Sequence, residues 1–218
     1  MAGIKITIEG LPKTGKTTLY NGLIKHYQTI IQVKSPDFVK NGEHKNYVVS
    51  KIEGILKSKD SKFLTLDSPI GETLLLLARI AFRADEKRNS TSKKIQISDK
   101  SVDTLISHAI PRLLRTGYFK TEEEAFRWIT TILEPFYEYP DLTLFLMPRN
   151  LNNFLDKTST DENERNYLEQ ISKTYDFLYS KTKFRKRTNI IHIYKDISEA
   201  KILSYSIKII DKYLKNEH

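Results

Sequence analysis

The amino-terminal stretch IKITIEGLPKTGKTTLYNGLIKHY changes its apolar period once, and the change falls on glycines. Ile4 to Glu9 alternates apolar and polar side chains and is rich in β-branched residues, which predicts a strand. From Thr17 onward, Leu19, Leu23, Ile24 and Tyr27 recur at helical spacing. The joint between them, GLPKTGKT from Gly10 to Thr17, fits the pattern G-x-x-x-x-G-K-[ST]. A strand that turns through glycines into a helix collects backbone N–H groups and a helix amino terminus at one point, a cradle for an anion. Gly10 and Gly15 allow torsions and a close approach that side chains would block. Lys16 is then placed to reach the β- and γ-phosphates of a nucleotide and Thr17 to offer its hydroxyl to Mg²⁺. Lys13, Thr14 and Thr18 complete the phosphate-binding set. An ordinary glycine-rich turn is the competing reading of the same residues.

Beyond this joint the chain keeps alternating between the two periods. Further strands are predicted at Ile30 to Pro36, Ile95 to Ser98, Leu142 to Met147 and Ile190 to Tyr194. Helices are predicted from Tyr47 to Leu56, Pro69 to Arg88, Glu122 to Phe136, Asn163 to Tyr179 and Ser198 to Leu214. Another starts at Ser101 or Val102 and kinks or breaks near Pro111. LTLFLM, at Leu142 to Met147, is apolar almost throughout, as in a strand covered on both faces. The expectation is an α/β fold, a five-stranded parallel sheet with helices on both faces, forming one domain over residues 1–218. Ligands bind such sheets beyond the carboxyl ends of the strands, where Gly10, Pro36, Asp99 and the residues after Met147 would gather. Asp99 is placed to hold Mg²⁺ or polarise that site, and it would equally suit the cap of the helix that follows.

Composition narrows the chemistry. The absence of cysteine excludes disulfides, thiolate metal sites and cysteine nucleophiles. No apolar run approaches the roughly 18 to 20 residues that span a bilayer, so a soluble, cytoplasmic protein is expected. A net charge of +9 favours anionic partners without choosing among nucleotides, nucleic acids and acidic surfaces. The basic run FRKRTN, Phe184 to Asn189, reads as a solvated turn before a strand, and no nucleic-acid-binding motif accompanies it.

Three segments, IEGLPKTGKTTL, ISDKSVDT and PDLTLFL, together resemble the thymidylate kinase family in order and spacing over essentially the full chain. The resemblance implies a P-loop kinase that moves the γ-phosphate of ATP to a deoxynucleoside monophosphate, dTMP foremost, with Mg²⁺ and as a homodimer. It also implies a lid near residues 149–166 and a basic residue either in the loop or in the lid. Lys13 holds the loop position, and from Lys157 to Gln170 the lid side offers Arg165 as its one arginine. Lys13 is thus the candidate for the charge that stabilises the transferring phosphoryl group, beside Lys16, Asp99 and Lys100. Arg83 matches the arginine that reads the base edge in the family, with Arg79 as a fallback.

The departures concentrate on the acceptor side. Pro12 replaces a carboxylate that contacts the sugar in the family, and Asp99-Lys100-Ser101 replaces Asp-Arg followed by an aromatic residue. Lys100 keeps the charge and loses the guanidinium fork. Phe38 stands where a phosphate-binding arginine is expected, Arg79 where a stacking phenylalanine is, and Met147 where a polar residue is. Arg83, Arg79, Phe38, Lys100, Ser101 and His108 are therefore the acceptor-side candidates, with Arg112 and Arg115 as further cations. Two other readings stay open. A deoxynucleoside kinase would need a general base, for which Glu9 is the candidate. A nucleotide- or nucleic-acid-binding protein could keep the fold without the activity.

Overall fold

A computed structural model of the chain describes residues 4–27, 50–52, 54–55, 68–88, 95–194 and 197–216. Its elements in chain order are β1 (Ile4–Gly10), α1 (Lys16–His26), α2 (Pro69–Arg88), β2 (Ile95–Ser98), α3 (Val102–Arg115) and α4 (Glu122–Leu133). They continue with β3 (Leu142–Pro148), α5 (Leu151–Thr158), α6 (Glu162–Ser180), α7 (Thr182–Arg187), β4 (Thr188–Ile193) and α8 (Glu199–Asn216). The chain divides into two compact units, one of Met1–Ser35, Ser92–Ser101 and Pro140–His218, the other of Pro36–Thr91 and Val102–Tyr139.

The first unit holds the sheet, in the order β2-β1-β3-β4 with every pair parallel. Four strands are present among the described residues; the strand expected at Ile30 to Pro36 lies outside them, as do Phe38 and half of the helix expected from Tyr47 to Leu56, whose described residues, 50–52 and 54–55, are helical. Side-chain alternation sorts the central strands into two faces. Ile6, Ile8, Leu142, Leu144 and Leu146 join Leu19, Leu23 and Tyr27 and, from α8, Ile210 in one cluster. On the other face Phe145 packs its ring 4.8 Å from both Tyr175 and Tyr179 of α6. Leu142 to Leu146 is buried throughout for this reason, and each such aliphatic side chain contributes roughly 1.5–3 kcal/mol. Tyr27 ties α1 to α8 by donating its hydroxyl to Asp211 at 2.8 Å.

The second unit consists, among the described residues, chiefly of α2, α3 and α4. Val102 to Pro111 is buried all round, and α3 runs through Pro111 to Arg115 as one helix, so of the kink or break expected at Pro111 the break does not occur. Proline removes one ladder bond and crowds the carbonyl of Ser107, but packing on every side outweighs that local cost. Arg112 Nη1 donates to Glu72 Oε2 at 2.7 Å, an ion pair between α3 and α2. Thr121 and Glu124 form a reciprocal capping box that starts α4. That helix stops at Leu133 rather than Phe136, because Pro135 has no N–H to continue it.

The basic run corrects a second expectation. FRKRTN is no solvated turn: its first four residues belong to α7, Phe184 and Arg187 are buried, and strand pairing begins at Thr188 rather than Ile190. Arg187 Nη1 donates to Thr143 Oγ1 at 2.7 Å, so this guanidinium serves the packing of the sheet. Among the described residues no helix is long and apolar enough to cross a membrane.

Candidate active site

The site grows from the carboxyl end of β1. Glu9 and Gly10 are the last residues of that strand, and Gly10 pairs with Leu146 on β3. At φ 143° and with a Cβ position only 2.5 Å from the Leu146 carbonyl oxygen, Gly10 has neither the torsion nor the room for a side chain. The chain then turns through Lys13 at φ 66° and Gly15 at φ 86°, and Gly15 is the N-cap from which α1 starts. Thr14 braces the turn by donating its hydroxyl to the Leu11 carbonyl at 2.8 Å.

Lys16, in the first turn of α1, is buried and folds back along the loop. Its Nζ donates to the carbonyl oxygens of Gly10 at 2.9 Å and Leu11 at 2.6 Å. Burial pushes its ammonium down to about 8; the charge of Glu9 opposes that shift, Lys100 reinforces it, and Asp99 opposes it. Lys16, Glu9, Lys100 and Asp99 therefore share one electrostatic neighbourhood. Thr17 and Thr18 are exposed at the start of the helix.

Asp99 follows β2, where the sequence placed it. Its Oδ1 is buried and finds no hydrogen-bond partner among the described residues. A buried oxygen left in that state suits a cation or its bound water, so Asp99 is a residue that could hold Mg²⁺, with the Thr17 hydroxyl as the other candidate. Glu9 is fully buried and both carboxylate oxygens are engaged: Oε1 accepts from the Ser101 N–H at 2.6 Å and Oε2 from the Tyr175 hydroxyl at 3.0 Å.

Lys13 points to Thr158 and Glu164, in the segment where the sequence led one to expect a lid. Its Nζ lies 3.2 Å from Glu164 Oε1 and also donates to the Thr158 carbonyl. Arg165 is engaged within the same segment, by Asp156 and by Glu169 at 3.3 Å. Thr160 donates to Glu164 Oε2 through both its N–H, at 2.7 Å, and its hydroxyl, at 2.8 Å. These bonds, with Lys13 after them, hold the Glu164 carboxyl down to about 2.

Of the acceptor-side candidates, Lys100 and Ser101 lie in the first unit beside the loop residues. Arg79 and His108 lie buried in the second unit, on α2 and α3. Arg112 is neutralised by Glu72, and Arg115 is exposed. The backbone of Arg83 belongs to α2, while its side chain and the whole of Phe38 are outside the described residues. Sequence reasoning did not single out Glu164 or Tyr175. An Asp161-x-x-Glu164 capping pattern was the available signal for the first, and nothing local marks the second.

No protein-family model and no curated protein sequence matches the chain. Solved structures do. A thymidylate kinase from Ehrlichia chaffeensis superposes with a TM-score of 0.62 at 17% identity, covering 97% of this chain and 100% of that one. A thymidylate kinase from Candida albicans superposes with a TM-score of 0.66 at 18% identity, covering 100% of this chain and 94% of that one. The chain has a thymidylate kinase fold. On this fold the strand-to-helix loop at Gly10 to Lys16 and the Asp99 segment stand at the carboxyl ends of neighbouring parallel strands, β1 and β2. That is the position at which open parallel sheets bind ligands.

Proposed function

We propose that this chain is a nucleoside monophosphate kinase, moving the γ-phosphoryl group of ATP to a deoxynucleoside monophosphate, dTMP foremost. The observation that carries the reading is the loop itself: Gly10 closed against Leu146, and Lys16 buried beside Glu9, Asp99 and Lys100.

ATP would enter with its phosphates over the loop amides and the first turn of α1. Lys16 then exchanges two neutral carbonyl partners for phosphate oxygens, which restores the charge that burial disfavours. An oxygen of the acceptor monophosphate forms the new bond to the γ-phosphorus, and the β–γ bridging oxygen leaves with ADP. The acceptor is already anionic, so positioning and charge stabilisation suffice and no side-chain base is needed. Lys13 and Lys100 are the cations for the transferring group and the acceptor phosphate. Mg²⁺, held by Thr17 and Asp99, would supply charge neutralisation between the phosphates.

Glu9 bears on the deoxynucleoside kinase reading. A general base needs a free lone pair facing substrate, and Glu9 has both oxygens occupied at zero exposure, which disfavours that role. The burial of Arg187 likewise weakens the nucleic-acid reading by removing a cation from the basic run. The Candida albicans enzyme has broad substrate specificity, which is why the test below uses a panel of acceptors. A homodimer and a cytoplasmic place of action, where ATP and nucleoside monophosphates are found, complete the reading.

The test is ADP release with ATP and Mg²⁺ against dTMP, dUMP, dCMP, dGMP, UMP and thymidine. Turnover of a monophosphate that disappears in Lys16→Ala is the expected result. Turnover of thymidine alone would replace the reading with the nucleoside kinase one, and silence across the panel with intact ATP binding would favour a binding protein.

A further inference from the structure

Helix α6 holds the phosphate loop at two points. Near its amino end Glu164 pairs with Lys13, and eleven residues later Tyr175 donates to Glu9 at the root of the loop. Eleven residues make close to three helical turns, so both side chains leave one face of α6. Glu164 is fixed from its own side as well, since its N–H donates to Asp161 at 2.8 Å and its carboxylate receives both donors of Thr160. Lys13 is held to the same segment a second time by the Thr158 carbonyl.

We propose that Glu164 is a positioning residue for phosphoryl transfer, parking Lys13 on the lid segment until the terminal phosphate of a bound nucleotide displaces it. This rests on the kinase reading above. A terminal phosphate offers more charge and more acceptor oxygens than one carboxylate, so it wins Lys13 when it arrives. The pair is partly exposed, at 46% and 31%, which keeps it weak, sensitive to salt and able to break in every turnover. The far end of the helix face stays anchored through Tyr175, so the break falls at the Lys13 end.

The experiment is a double-mutant cycle on the full chain, titrating ATP and Mg²⁺ into the parent, Glu164→Gln, Lys13→Met and the double variant by calorimetry. Glu164→Gln should bind ATP roughly three- to tenfold more tightly, and that gain should vanish when Lys13 is Met. Equal affinity in the parent and Glu164→Gln overturns the proposal. So does a gain that persists without Lys13, which would make Glu164 merely a nearby negative charge. Hydrogen exchange without nucleotide gives an independent reading: Lys13→Met should speed exchange of amides 158–165 about tenfold, and unchanged exchange also overturns the proposal. If the parent binds no ATP, the kinase reading fails, while the exchange data still decide whether Lys13 is held.

Discussion

Lys16 meets opposing demands. Its position in the loop buries it, which lowers its proton affinity to about 8, and the phosphate-binding role proposed for it requires the charged form. Phosphate oxygens would raise that affinity again, so ATP binding should take up a proton between about pH 8 and the ordinary lysine value of 10.5. ATP affinity should be flat below pH 8 and fall by up to about tenfold per unit above it. Calorimetry in buffers of different ionisation heat checks this, and a flat affinity up to pH 10 would mean that Lys16 does not face the phosphates. The nucleotide-free chain carries the opposite sign from this group. Across the same window its unfolded form binds the extra proton, so stability rises with pH. The sequence showed Gly10, Lys16 and Asp99 because a strand, a glycine turn and a helix start are local facts. Glu164 on Lys13 and Tyr175 on Glu9 join residues 151 and 166 positions apart, and no local pattern encodes such meetings.

The elements were legible wherever one period dominated. β1, β3 and α2 lie where the apolar spacing put them, and α6 and α8 end within two residues of expectation. The misses have physical causes. Pro135 cut α4 short, and burial of Phe184 and Arg187 drew a basic run into a short helix whose other residues stay exposed. Helix α6 shows what the apolar period leaves out. Its buried face includes a tyrosine hydroxyl whose bond to Glu9 joins it to β1, while Glu9 also fixes the Ser101 N–H. Tyr175→Phe keeps the ring packing on Phe145 but removes one donor from a fully buried carboxylate, at a cost of about 1–3 kcal/mol. For a chain of this size each kcal/mol lowers Tm by roughly 2–4 °C, so a thermal scan reads the effect directly. A Tm within 1 °C of the parent by the same scale would show that Glu9 does not depend on this bond.

At the scale of the whole molecule the candidate site residues are divided between the two units. The loop, Lys16, Asp99 and Lys100 belong to the first, while Arg79, His108 and the Glu72–Arg112 pair belong to the second. The second unit also carries an exposed apolar line on α2. Leu76, Leu77 and Ile80 of α2 are buried within the chain, yet Leu74 and Phe82 remain 43% and 37% exposed. Leu74, Ala78 and Phe82 follow one another at steps of four and therefore share a face of the helix. A solvated helix face normally carries charge at such positions, so an apolar line of this kind is suited to a second copy packed about a two-fold axis. The parent should therefore sediment at twice the chain mass. Phe82→Glu would place a carboxylate at that contact on both copies and should yield a monomer, with ATP affinity within about twofold because the loop lies in the other unit. A parent that is already monomeric would overturn the homodimer, and a variant that remains dimeric would move the dimer contact off this helix.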